Sequence, residues 1–131
     1  MSYTVLQAAD HPWEERPAFG SDEPRFASDV TTAAELTQSR ARIWRLPPHG
    51  RGRRHAEAAQ EETFVVLDGT LTILLGDPHE RFDLAPQSIV SVRPGTAVQM
   101  RNETDSEVAV FVYGAPPVVA QVEYLDDVEQ L

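Results

Sequence analysis

Cysteine is absent from all 131 residues. That excludes disulfides, thiolate nucleophiles and thiolate metal sites. Lysine is absent as well: the 11 basic side chains are all arginine, set against 21 acidic ones, for a net charge of −10. A chain of that sign is repelled by phosphate backbones and anionic membranes, so roles on nucleic acid or at a membrane surface are not expected. No stretch approaches the ~20 consecutive apolar residues of a membrane-spanning helix. The first residues, Met1-Ser2-Tyr3-Thr4-Val5-Leu6, lack a basic start and an apolar run, so a soluble cytoplasmic protein is the expectation. There is no Gly-rich phosphate loop and no recognisable Ser-His-Asp arrangement. What remains is a chain of one-domain length, apolar enough at 41% to build a core.

The punctuation is that of a β protein. Residues 1–27 are broken by His11-Pro12, Arg16-Pro17, Phe19-Gly20 and Glu23-Pro24, and are read as an irregular arm. Residues 28–39 are ambiguous between strand and short helix. From residue 40 the strand signals dominate. Arg42–Leu46 is a strand ended by Pro47-Pro48-His49-Gly50, and residues 63–67 and 71–75 flank Asp68-Gly69, a strong hairpin signal. Further strands are expected at residues 80–84, 88–92, 97–101, 107–113 and 118–124. Seven or eight short strands with turns between them argue for an all-β sandwich or barrel. One barrel domain over 28–125 is the reading, followed by an acidic tail, 126–131, with room for one helical turn.

Two segments carry more than pattern. The first runs His55-Ala56-Glu57, then Glu62, then Gly69. The second runs Pro94-Gly95, then Val98, then Asn102. Together they resemble the two motifs of the cupin superfamily. In that family the first motif has two histidines two apart, a Glu and a turn Gly. The second has Pro-x-Gly, a His three residues after the Gly and an Asn four residues later. His55, Glu62, Gly69, Gly95 and Asn102 match in place; Glu57 and Val98 stand where the family has histidine. The resemblance covers about residues 40–115 and implies a double-stranded β-helix, the jelly-roll barrel, with His55 and Glu62 in its interior.

Strand alternation adds neighbours to that interior. His55 and Glu57 share a face, as do Glu62, Phe64 and Val66, and as do Val98, Met100 and Asn102. The candidate pocket is His55, Glu57, Glu62, Phe64, Val98 and Met100, with Trp44 as a rim or core residue. Family members with a metal hold it by three His and one Glu, a set suited to Fe, Mn, Ni or Zn. Here that set is reduced to one His and two carboxylates, so no resident metal is expected. The alternative is a weakly bound divalent metal at His55, Glu57 and Glu62, with His49 able to swing in. Two carboxylates close together also cannot both ionise cheaply, which suits general acid–base work, as in the metal-free isomerases of this fold; against this, Glu57 could instead pair with Arg53 or Arg54. Arg51, Arg53 and Arg54 form a basic run that either docks an anionic substrate or pairs with surface acids. Gln99 and Arg101 alternate outward and are read as surface or interface groups.

The expected function is therefore binding of a small organic ligand in the barrel, through an incomplete metal site. One rival is an enzyme, a metal-dependent dioxygenase or an isomerase or epimerase using the same pocket. Another is a non-catalytic accessory or sensor subunit with a filled interior. Apolar side chains on both faces of the 63–67 and 71–75 strands call for a cover, supplied by residues 1–27, by a second subunit or by both, and a homodimer is the expectation.

Overall fold

The computed structural model describes residues 2–118 and 122–131. After a single 3-10 turn, Ala8–Asp10, the described residues form eleven strands: β1 Trp13–Arg16, β2 Arg25–Asp29, β3 Arg40–Leu46, β4 His55–Glu57, β5 Glu61–Asp68, β6 Leu71–Leu75, β7 Glu80–Leu84, β8 Ile89–Val92, β9 Val98–Arg101, β10 Val108–Ala115 and β11 Val122–Tyr124. One short helix, α1, spans Val30–Ala33. Six strands make one sheet in the order β1-β2-β3-β10-β5-β8, and five make the other in the order β11-β4-β9-β6-β7. Every pairing between strands is antiparallel. The two sheets face each other across one core, and the fold is the jelly-roll barrel.

Strand parity fixes which side chains face inward. In the first sheet a row runs Ala27–Trp44–Val110–Val66, and the next runs Asp29–Arg42–Val112–Phe64–Val90. In the second sheet Val98 and Met100 lie beside Leu75 and Ile73. Leu46, Phe64, Val66, Leu71, Ile73, Val98, Val108 and Val110 form the closed end of the core, each at 2% exposure or less. At roughly 1.5–3 kcal/mol for each such side chain, this cluster is the main stabilising mass of the fold.

The Asp68-Gly69 turn between β5 and β6 needs its glycine. Gly69 has φ +74, and a Cβ there would sit 2.8 Å from the Glu107 carbonyl oxygen. Gly95 also has φ +84, but open space surrounds it.

Several expectations are corrected here. Residues 1–27 are not an irregular arm: β1 and β2 extend the first sheet, in the register Trp13↔Ser28 to Arg16↔Arg25. The prolines confine each strand to four or five residues, and an outer strand with three exposed residues shows no apolar alternation. The ambiguous 28–39 stretch divides into the end of β2 and α1, where the Asp29 carboxylate caps the helix by accepting from Thr32 N–H and Oγ1–H. The acidic tail forms no helical turn. Leu125 N–H donates to the Arg54 carbonyl, and the Asp127 carboxylate accepts from Arg51 and Gln99, so the tail straps the outer face of the second sheet. Gln99 is consequently fully buried rather than a surface group. Of the strand expected at 118–124, residues 119–121 lie outside the described residues.

Candidate functional site

The barrel interior is not filled. A cavity of about 700 Å³ opens between the sheets, and His55, Glu57, Glu62, Phe64, Val98, Met100 and Trp44 all line it. His55 and Val98 are direct partners in the β4–β9 pairing, which puts the imidazole against the valine. Glu62 stands opposite Val92 on β5 and is 7% exposed. Parity along the short β4 and along β5 therefore brings one imidazole and two carboxylates together. One ligand atom from each of His55, Glu57 and Glu62 lies within 4.8 Å of the others.

The tautomer of His55 follows from its partners. Its Nδ1 lies 3.0 Å from the Arg53 carbonyl oxygen, which can only accept, so Nδ1 carries the proton. A neutral ring then turns the bare Nε2 lone pair toward Glu62, whose Oε1 is 3.7 Å away. Two lone pairs in a half-dry pocket repel each other unless a proton or a cation lies between them. Burial opposes a charge on the ring, but Glu62, the Arg53 carbonyl and Glu57 outweigh it and hold the His55 pKa above its ordinary value. Glu57 is raised too, first by burial and then by the charge of Glu62, with His55 and Arg40 opposing. His55 and Glu57 thus hold their protons more tightly than they would in water.

The donor set fits a divalent ion in part. A histidine whose Nδ1–H is anchored on a backbone carbonyl presents Nε2 as a metal-ligating histidine does. Two carboxylates would offset the charge. Val98 supplies nothing, so three protein ligands are the most this wall offers. His49 does not join them: its Nε2 pairs with Asp105 Oδ1 at 2.7 Å, away from the cavity.

The basic run resolves into two roles. Arg51 pairs with Asp127, and Arg54 donates to the carbonyls of Asp126 and Gly76, so both hold the C-terminal strap. Arg53 lines the cavity and lies over the Tyr124 ring at 3.9 Å. Glu57 pairs with neither Arg53 nor Arg54. Four further arginines line the cavity that the sequence had not singled out: Arg16, Arg25, Arg40 and Arg42. Trp44 both packs on the core and lines the cavity, with the guanidinium carbons of Arg25 and Arg42 at 4.5 and 5.4 Å from its ring centre.

Comparison with known proteins agrees with this fold. The sequence profile of a family described as "Cupin domain" matches residues 42–114, more than half the chain. No curated protein matches the sequence. Among solved structures, the polyketide cyclase RemF from Streptomyces resistomycificus is similar at a TM-score of 0.77 and 15% identity, over 96% of this chain and 87% of that one. A predicted oxalate decarboxylase from Thermotoga maritima gives 0.74 and 12%, over 86% and 99%. A sugar phosphate isomerase of the cupin superfamily from Silicibacter pomeroyi gives 0.70 and 22%, over 86% and 75%. At these identities the likeness is one of fold.

Proposed function

This chain belongs to the cupin superfamily, and we propose that it is a small-molecule-binding barrel whose ligand lies against His55, Glu57 and Glu62. The observation that carries the reading is the open cavity. Its volume falls in the range of small-molecule sites, and it combines an apolar wall with a few convergent polar groups. An accessory subunit acting only through its surface would have no use for that space. The cyclase, decarboxylase and isomerase named above share the fold and differ in chemistry, so the fold does not choose among reactions.

Trp44 gives the test. Its emission reads occupancy of the cavity once Trp13 is changed to Phe. A ligand from a panel of organic acids, sugars and aromatic compounds should shift that emission. The shift should vanish in Val112→Phe, which fills the cavity beside Arg42. Emission that no compound moves would overturn the reading.

A second reading adds a divalent metal to the pocket, favoured by the Arg53 carbonyl that fixes His55 with Nε2 facing the two carboxylates. Such an ion would polarise a ligand carbonyl or carboxylate. Without it, Glu57 is placed to donate a proton and the His55–Glu62 pair to accept one. Elemental analysis of protein purified without chelator or nickel resin separates the two: stoichiometric metal that survives dialysis selects the second reading.

We also propose a homodimer. Ile43, Phe111, Val65 and Ile89 form a row across the outer face of the first sheet, with Leu67 and Tyr113 beside them. Ile89 is 68% exposed. The N-terminal strands widen this sheet at its side instead of covering that row. A second copy would bury it. Light scattering at micromolar concentration should return twice the 14.6 kDa chain mass; the mass of a single chain would contradict this.

A further inference from the structure

We infer that the ligand of this barrel is a small organic anion, and that Arg40 and Arg42, with Arg25 across the face of Trp44, form the clamp for its oxyanion. This rests on the reading of the barrel as a ligand pocket and names the class of ligand it takes.

The first ground is the inner face of β3. Leu46, buried completely, marks the inward parity, and Trp44, Arg42 and Arg40 follow on the same face toward the open end. An interior strand face of an ordinary barrel carries apolar residues there. Arg42 instead lies in a row with Val112, Phe64 and Val90, and Arg40 lies one strand from Gly114 and two from Glu62.

The second ground is where the arginines without a carboxylate partner gather. Six arginines form ion pairs: Arg45, Arg51, Arg54, Arg81 and Arg101, none of which lines the cavity, and Arg16, which does line it and pairs with Glu14. The other five have no carboxylate within 4.0 Å among the described residues. Four of these, Arg25, Arg40, Arg42 and Arg53, line the barrel cavity; the fifth, Arg93, lies elsewhere, exposed. In a chain with 21 acids for 11 arginines, partners were not scarce. Placing several unpaired guanidinium groups in a half-buried cavity is unfavourable unless an anion joins them. Burial first, and then neighbouring arginines, push the pKa of both Arg42 and Arg25 down, which is the same strain seen as a titration. The acids nearby relieve it only in part: Asp29 and Glu14 act on Arg42 through their charge, but not enough to offset burial, and no carboxylate reaches an ion-pair distance. Asp29 is engaged in capping α1, and Glu57 and Glu62 face His55.

The third ground is how the clamp is held. Arg25 and Arg42 lie over Trp44, a contact that uses the face of a guanidinium; Arg25 Nε–H donates to the Pro17 carbonyl at 2.9 Å, which fixes that side chain and leaves its terminal N–H groups for a ligand. Those donors form the fork that matches a carboxylate or phosphate. The cavity thus has a basic wall on β2 and β3 and a His–Glu–Glu wall on β4 and β5. A ligand with an oxyanion at one end would place its other end against His55, Glu57 and Glu62.

The test titrates chelator-treated protein with malonate, inorganic phosphate and the neutral isostere malonamide, by calorimetry at low and moderate salt. Malonate or phosphate should bind, more weakly as salt rises, and malonamide should not. Which anion wins tells carboxylate from phosphate recognition. Binding should weaken on the order of tenfold or more in Arg40→Gln and in Arg42→Gln, and hold in Arg93→Gln. Arg42→Met, free of ligand, should melt no lower than the parent, because no ion pair is lost. Anion binding that ignores Arg40 and Arg42, or an Arg42→Met protein that melts well below the parent, would overturn the proposal. So would the absence of any anion binding. If a neutral compound still shifts Trp44 emission in that event, the pocket reading stands and only the anion is wrong.

Discussion

Asn102→Ala should destabilise the fold by about 2–4 kcal/mol, although the side chain makes five hydrogen bonds. The residue is fully buried. Its Nδ2 donates toward the carbonyls of Leu46, Pro47 and Ser106 at 3.1, 3.0 and 2.7 Å, and its Oδ1 accepts from Thr104 N–H and Oγ1–H at 2.9 and 2.7 Å. Five bonds at about 1 kcal/mol each, plus penalties for orphaned groups, would overstate the loss. The Pro47 carbonyl keeps Gly50 N–H, and the Ser106 carbonyl keeps the Thr104 hydroxyl. Only the Leu46 carbonyl and the Thr104 N–H lose their side-chain partner and its shielding, at roughly 1–2 kcal/mol each. Asn102→Asp should do worse at neutral pH, because a carboxylate would face three carbonyl oxygens, and should recover in acid. Urea unfolding read by fluorescence, with unchanged slope, measures the difference. A loss below about 1 kcal/mol would refute the reasoning and place this knot of loops outside the cooperative fold.

Other consequences follow from the same geometry. Gly69→Ala should lose clearly more stability than Gly95→Ala: both incur the about 1–2 kcal/mol of a left-handed backbone, but only Gly69 also drives a Cβ against the Glu107 carbonyl. Equal urea midpoints would contradict this. Glu57→His combined with Val98→His should bring two imidazoles beside His55 and raise divalent-metal affinity on the order of tenfold or more by calorimetry; no gain would mean that the pairing register misplaces them. In metal-free protein, the raised pKa values of Glu57 and His55 mean that the folded state binds protons more tightly than the unfolded chain. Their contribution to stability is therefore full below the ordinary values of 4.5 and 6.5 and fades as pH rises past each. Glu57→Gln should remove the first part of that fall, and an unchanged pH profile would count against the raised pKa.

Legibility in the sequence followed the reach of each signal. The Asp68-Gly69 hairpin and the inward set of His55, Glu57, Glu62, Phe64, Val98 and Met100 depend on parity within a strand and on motif spacing, and both were readable. Arg40 and Arg42 were missed although β3 was recognised. Which face of β3 turns inward is decided by its partners β2 and β10, and no local pattern reports that. Gln99 reads as a surface or interface group for a similar reason: alternation says that it opposes Val98, but its cover comes from Asp127, 28 residues away. β1 and β2 carry charges and half-buried residues in short runs between prolines, so their pairing gives no periodic trace. The acidic tail reads as room for a helical turn because what holds it, the Asp127–Arg51 ion pair and the Asp126 carbonyl accepting from Arg54, reaches back across the chain.

The central claim is that the cavity between the sheets is where this protein meets its ligand, along the wall from Arg42 to His55. Backbone amide shifts, followed by NMR as malonate or phosphate is added, test it directly. The account predicts that the largest shifts fall on β3, β4, β5 and β9 around Arg42, His55, Glu62 and Val98, and that they disappear in Arg42→Gln. Shifts scattered over the outer faces of the sheets, or confined to the C-terminal strap, would contradict it.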